Sequence, residues 1–260
     1  MSAPLDRALD LTGRSVIVTG GTKGVGRGIT ERFLEAGAHV VITARNEPDE
    51  PIAVDGNTAV FVPADIRDPD QIDPIIEAAV AAGSLDIVIN NAGGSPKAEA
   101  ATASPRFSQA IVNLNLMAPL HVAQKANTVM QGQPDGGSII NIGSISGLRP
   151  SPGSAAYGAA KAGLLSLSTT LAVEWAPKVR VNVVTGGIIQ TEQAHLHYGD
   201  EAGIAAVAAT IPMQRMGRPR DIADACLFLA SPLASFITGA NLTVHGGGEK
   251  PSFLDAATVD

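Results

Sequence analysis

Ser15-Val-Ile-Val-Thr19-Gly20-Gly21-Thr22-Lys23-Gly24-Val25-Gly26 carries a β-branched run into a glycine-rich turn, and the residues from Gly26 to Ala36 then show helical apolar spacing. β-Branched side chains suit a pleated surface, so the stretch reads as a strand over 15–19, a loop, and a helix over 26–36. Gly20, Gly24 and Gly26 let the backbone turn tightly and approach a pyrophosphate at the helix N-terminus, where free N–H groups and the dipole favour anions. The spacing is not G-x-G-x-x-G, the commoner dinucleotide fingerprint.

Outward from this unit the same alternation repeats. Strands are expected at 39–43, 58–62, 85–89, 137–142, 179–184 and 241–244, and helices at 70–82, 105–130, 155–176 and 221–230. Residues 46–57, with Pro48 and Pro51 and no apolar period, read as a loop barely long enough for a crossover. Residues 192–217, with apolar Ile204, Val207, Ile211, Met213 and Met216, read as an irregular, mobile segment. Strands alternating with helices imply an α/β fold, a doubly wound parallel sheet of the Rossmann type, in a single domain over 1–260 with a C-terminal tail at 249–260. A ligand then lies beyond the carboxyl ends of the strands. The Gly-rich loop, Ala44, Asp65, Asn90, Ser144 and Thr185 all fall there.

Composition narrows the partner. The 260 residues are 45% hydrophobic and 17% charged with a formal net charge of −7, which fits a large core and lacks the basic footprint of a nucleic-acid or anionic-membrane surface. A small-molecule partner is expected. Met1–Asp10 lacks a basic segment followed by an apolar run, and no run of about 18 apolar residues follows, so the chain reads as cytoplasmic. The single cysteine, Cys226, lies in an apolar helical pattern and is expected to be buried and inert.

At the end of the second strand an acid would take ribose hydroxyls and an Arg would take a 2'-phosphate. Here Ala44 and Arg45 stand there, with Lys23 in the Gly-rich loop, which favours NADP(H) over NAD(H). Asp65 is placed either to meet an adenine edge or to cap the next helix. Asn90-Asn91-Ala92-Gly93 is small enough for close contact with a flat ring. Asn113 and Asn115 sit mid-helix, an unfavourable place for Asn, so one of them either satisfies a kink or holds a water. Tyr157 and Lys161, four apart on the helix over 155–176, project together; a cation there favours the phenolate and pulls the phenol's pKa toward neutrality. Ser144 can then donate to a carbonyl oxygen that gains negative charge. These are the parts for carbonyl reduction or alcohol oxidation. His195-x-His197 has no supporting carboxylate or Cys cluster, so the two read as surface histidines on a substrate loop and no metal site is expected. Met213 and Met216 read as packing, or as the wall of an adaptable apolar pocket.

With these residues in hand the chain resembles the short-chain dehydrogenase/reductase superfamily from about Leu11 to Gly247, its 3-oxoacyl-acyl-carrier-protein-reductase-like members in particular. Thr19–Gly26 matches T-G-x-x-x-G-x-G, Asn90–Gly93 matches N-N-A-G, and Ser144 with Tyr157-Gly-Ala-Ala-Lys161 matches the catalytic serine and Y-x-x-x-K. Asn115, rather than Asn113, matches the family's helix asparagine. The resemblance implies Tyr157 as general acid, Lys161 lowering its pKa and holding the nicotinamide ribose, Ser144 polarising the substrate oxygen, and Asn115 anchoring a water for proton relay. It implies cofactor contacts from Gly20, Thr22, Lys23, Gly24, Val25, Gly26, Arg45, Asp65, Ile66, Asn91, Ala92, Gly93, Gly187, Ile189 and Thr191, besides Tyr157 and Lys161. Two departures stand out: Gly186 replaces the usual Pro of a Pro-Gly pair, and the crossover between Ala44 and Asn57 lacks a covering helix.

The function so implied is hydride exchange between NADP(H) and a secondary alcohol or ketone. The apolar loop suggests a hydrophobic substrate such as a 3-oxoacyl thioester or an alicyclic or steroidal ketone. A dinucleotide-binding regulator without turnover is the alternative, which the intact Asn115, Ser144, Tyr157 and Lys161 set disfavours. The small residues and leucines of the helix over 155–176, beside the apolar helix 111–129, suggest a homo-oligomer, a homotetramer by resemblance with a second contact near the last strand. Phe253 and Leu254 in the tail either dock on a neighbour or are loose.

Overall fold

The computed structural model describes residues 8–256 and 258, except the side chains of 254 and 255, so part of the N-terminal segment Met1–Asp10 and part of the tail, including the Leu254 side chain, lie outside the described residues. Strand β1 (Ser15–Thr19) is followed by helix α1 (Gly24–Glu35) and β2 (His39–Ala44). A two-residue hairpin, β3 (Ala53–Val54) with β4 (Asn57–Thr58), precedes β5 (Val60–Pro63). Then come α2 (Asp73–Val80), β6 (Ile87–Asn90), α3 (Pro105–Val112), α4 (Ala118–Gly132), β7 (Gly137–Ser144), α5 (Ala155–Trp175) and β8 (Val179–Gly186). The short helices α6 (His195–Tyr198) and α7 (Glu201–Ala209), then α8 (Pro219–Ala230), β9 (Asn241–Val244) and α9 (Phe253–Ala256), complete the order.

Seven of these strands form one sheet, ordered β5-β2-β1-β6-β7-β8-β9 and parallel throughout. The order reverses between β1 and β6, the switch point where such sheets open a crevice at their carboxyl ends. Alternation along β1 divides the core: Val16 and Val18 face α1 and α8, whereas Ile17 faces the layer of α2, α4 and α5. On α1 the same side carries Ile29, Phe33 and Leu34, all buried. Each such side chain contributes about 1.5–3 kcal/mol of transfer free energy, and Phe33→Ala would cost about 3–5 kcal/mol through the cavity it leaves.

Several expected boundaries move, for local physical reasons. Helix α1 begins two residues early because Gly24, at φ +55°, already turns the chain into it. The loop over 46–57 has no helix, as expected, but closes into the β3–β4 hairpin, which takes Thr58 out of the third sheet strand. The helix expected at 70–82 opens with a separate 3-10 turn, Pro69–Gln71, capped by the Asp68 carboxylate accepting from the Asp70 N–H. The long helix over 105–130 is divided by a π turn at Asn113–Met117. The segment 192–217 is ordered by α6 and α7 and by buried Ala194, Ile211 and Met216. A bridge between Gly217, at its end, and Ile189, three residues before its start, closes the segment. No described helix is long and apolar enough to cross a membrane.

Candidate active site

The cleft at the switch point is a cavity of about 560 Å³, and every sequence-derived cofactor residue lines it. Its floor is the Gly-rich loop. A side chain at Gly26 would place its Cβ 2.0 Å from the Gly20 carbonyl oxygen, so only hydrogen fits and the loop can fold back over α1. Gly20 at φ +64° and Gly24 at φ +55° supply the left-handed turns. Asn91 holds this floor to β6: its Nδ2 donates to the carbonyls of Thr19 (2.9 Å) and Gly20 (3.1 Å). Thr19 Oγ1 in return accepts from the N–H groups of Asn91 and Ala92, both at 3.0 Å. Asn90, by contrast, turns inward: its Nδ2 donates to Asn141 Oδ1 at 2.9 Å, and Asn141 Nδ2 donates to Ser168 Oγ at 2.9 Å, joining β6, β7 and α5 beneath the site.

Lys23, Ala44 and Arg45 all line the cavity. Asp65 is there too, but its carboxylate is paired with the Arg67 guanidinium, which holds it below the usual carboxylate range with further help from Arg45. Of the two alternatives for Asp65, the capping one is removed, since Asp68 caps the following turn. Arg67 is a cavity-lining cation that reading the sequence overlooked. Its signal was Asp65-Ile-Arg67 directly after a strand, where the two side chains can fork toward each other.

Ser144, Tyr157 and Lys161 line the same cavity. They meet because the turn after β7 lies flat on α5. Added Cβ atoms at Gly147 and Gly158 would sit 2.7 Å from the Ala162 nitrogen and the Ser146 carbonyl oxygen respectively, so glycine at both positions lets Ser144 reach Tyr157. The Ser144 hydroxyl, which accepts from the Ser146 N–H at 3.2 Å, lies near enough to the Tyr157 phenol to act on it. Lys161 Nζ lies 5.7 Å from the Tyr157 ring centroid, is buried, and donates to the Ile142 carbonyl at 2.8 Å.

The expected acidification of Tyr157 is not what this geometry produces. Burial pushes the phenol up, and only the Ser144 hydroxyl opposes it. Burial also lowers Lys161 to about 8, because an ammonium with so little water around it is disfavoured. Four-residue spacing brings a cation to the phenol, but burying that cation carries a cost that spacing does not show.

Asn115 lies in the π turn and is fully buried, whereas Asn113 is half-buried and accepts from Gln109. Asn115 Oδ1 accepts from the Gly94 N–H at 2.9 Å, and its Nδ2 donates to the Gly94 and Ile111 carbonyls at 3.0 and 2.9 Å. Both alternatives read for a mid-helix Asn are thus narrowed: this side chain satisfies the break in the helix, and its amide hydrogens go to backbone rather than to a water. It also fixes the loop after Gly93, whose added Cβ would lie 3.3 Å from Lys161 Nζ.

Gly186, Gly187, Ile189 and Thr191 form the opposite wall, followed by His197 and Tyr198 on α6. Tyr198 was not read as a site residue, and His197 only as a surface histidine of a substrate loop; an irregular-looking segment hid their place in the cavity. No group of three or more His, Cys, Asp or Glu among the described residues could hold a metal. Met216 is buried packing, while Met213 is 63% exposed. Cys226 is buried, and burial pushes its thiol up.

Comparison with known proteins bears on this geometry. Residues 20–249 match the profile of a family described as enoyl-(acyl carrier protein) reductase. An uncharacterised oxidoreductase of Mycobacterium tuberculosis is 37% identical over 258 residues, covering 96% of this chain and 97% of its own. The 3beta-hydroxysteroid dehydrogenase 1 of Eggerthella lenta is 35% identical, covering 92% and 94%. The solved structure of Thermoplasma acidophilum aldohexose dehydrogenase in ligand-free form superposes with a TM-score of 0.85 at 31% identity, covering 96% of this chain and 98% of that one. With a parallel sheet, a glycine-lined crevice and a converged Ser-Tyr-Lys set, the chain belongs to the short-chain dehydrogenase/reductase family, whose members are oxidoreductases.

Proposed function

We propose that this protein interconverts a secondary alcohol and a ketone with NADP(H), on a hydrophobic substrate such as a 3-oxoacyl thioester or an alicyclic or steroidal ketone. The observation that carries the reading is that Ser144, Tyr157 and Lys161 share one cavity with a backbone cradle that admits no side chain at Gly26. That cradle fits a dinucleotide: its N–H groups and the α1 dipole suit a pyrophosphate. Lys23 and Arg45 supply cations for a 2'-phosphate, and Asp65 beside Arg45 is already paired with Arg67. Thr191, Ile189 and Gly187 would border the nicotinamide. When bound, the cofactor supplies or accepts the hydride.

The chain's own residues handle the proton. Tyr157, kept protonated by burial, is the acid that donates to the substrate oxygen during reduction. Ser144, beside Tyr157 in the same cavity, donates to the same oxygen as it gains charge. Lys161 stands over the ring, anchored by Ile142, where it balances charge on the phenol as the proton leaves. Asn115 is a positioning residue that fixes Gly94 and so the wall facing Lys161. The family relation to a hydroxysteroid dehydrogenase supports, for substrate, an alicyclic ketone.

The deciding experiment follows NADPH oxidation with a panel of 3-oxoacyl thioesters and alicyclic ketones. Tyr157→Phe should lower kcat at least about a hundredfold while NADPH binding stays within a few-fold, since general-acid catalysis contributes about 10²-fold or more. Retention of a tenth of the rate would remove Tyr157 from the acid role. NADPH binding without turnover on any ketone would favour the regulator instead.

A further inference from the structure

One N–H of the proposed pyrophosphate seat already donates to an anion from the chain itself. Gly24 opens α1, its N-cap Lys23 offers no side-chain cap, and the first turn contains no acid. Its N–H instead donates to Glu192 Oε1 at 3.0 Å, a contact across 168 residues. Glu192 belongs to the stretch between β8 and α6 and lines the same cavity. Thr191 and Glu192 are the atoms nearest an added Gly24 Cβ, so this stretch lies across the mouth of the Gly-rich loop. The same carboxylate acts electrostatically on Arg27, one turn into α1.

A helix N-terminus favours one anion, and one N–H serves one strong acceptor at a time. A dinucleotide that brings its pyrophosphate to this loop meets a carboxylate on the donor it needs, and two anions at that separation repel. We infer that Glu192 is a displaceable internal anion, which occupies the pyrophosphate seat before the cofactor binds, lowers cofactor affinity by competing for Gly24, and is expelled on binding. This rests on the dinucleotide-binding reading above. Expulsion has a second consequence. Glu192 is three residues before α6, so releasing it from Gly24 removes a tether on the element that carries His197 and Tyr198 into the cavity.

The test is isothermal titration of the full chain, unaltered and as Glu192→Ala and Glu192→Gln, with NADPH and separately with inorganic pyrophosphate. Glu192→Ala should bind both about three- to tenfold more tightly, the scale of one helix-terminus anion contact. Glu192→Gln, which keeps an acceptor oxygen and loses the charge, should fall between the two. Hydrogen exchange without ligand gives an independent readout: the Gly24 amide should exchange faster in Glu192→Ala than in the unaltered chain. Tighter binding with faster Gly24 exchange sustains the inference. Equal or weaker NADPH binding by Glu192→Ala overturns it, as does unchanged Gly24 exchange. If the unaltered chain and both variants alike fail to bind NADPH and NADH, the dinucleotide reading itself has failed, a result distinct from unchanged binding.

Discussion

Replacing Lys161 with Met should stabilise the fold while removing activity, and the size of the effect follows from burial. The amine is almost fully enclosed and gives up its proton at about 8 instead of the ordinary 10.5. That difference corresponds to about 3 kcal/mol of disfavour for the charged form at low pH. Met fills the same space without a charge, but it leaves the Ile142 carbonyl without the 2.8 Å donor, a loss of about 1–2 kcal/mol. The net expectation at pH 6 is a gain of about 1–2 kcal/mol for Lys161→Met. Between about 8 and 10.5 the unfolded chain holds a proton that the folded chain has released, so the unaltered protein gains stability as pH rises through that window. The advantage of the variant must shrink over the same window and reverse above it, when only the lost hydrogen bond remains. Urea unfolding of both proteins at intervals from pH 6 to about pH 10.5 measures this. A variant less stable at pH 6, or a difference that does not change with pH, would refute the argument that burial sets the Lys161 charge. The accompanying loss of turnover would be the familiar trade of stability for a strained functional group.

Two other expectations concern the cofactor and the assembly. The double change Lys23→Ala, Arg45→Ala should weaken NADPH binding by about 1–3 kcal/mol and leave NADH nearly unmoved, as titration would read; equal kcat/KM for the two cofactors in the unaltered protein would remove the NADP(H) preference. The protein should be a homotetramer by light scattering, because Val173 on α5 and Phe236 before β9 are 80% and 102% exposed and suit a self-complementary patch. A monomer at micromolar concentration would contradict it, while a tetramer that survives deletion of residues 249–260 would exclude only a role for the tail.

Most of the architecture was legible because it rests on local rules. The period-2 alternation of Val16, Ile17 and Val18 assigns a strand with two buried faces, and the glycines between Gly20 and Gly26 assign a turn that no larger residue can make. β1 and β9 begin and end where the sequence placed them, and α5 ends within one residue of its expected stop. The four-residue spacing of Tyr157 and Lys161 likewise needs only helix geometry. What the chain read alone could not supply is everything set by separation in space without proximity in sequence. The pairing of Glu192 with Gly24, the approach of Ser144 to Tyr157 over Gly147 and Gly158, and the entry of His197 and Tyr198 into the cavity depend on how layers pack. The protonation of the Tyr157–Lys161 pair belongs to the same class. Sequence shows which charges are neighbours, but only the folded chain decides how much water is left around them, and here desolvation shifts both groups.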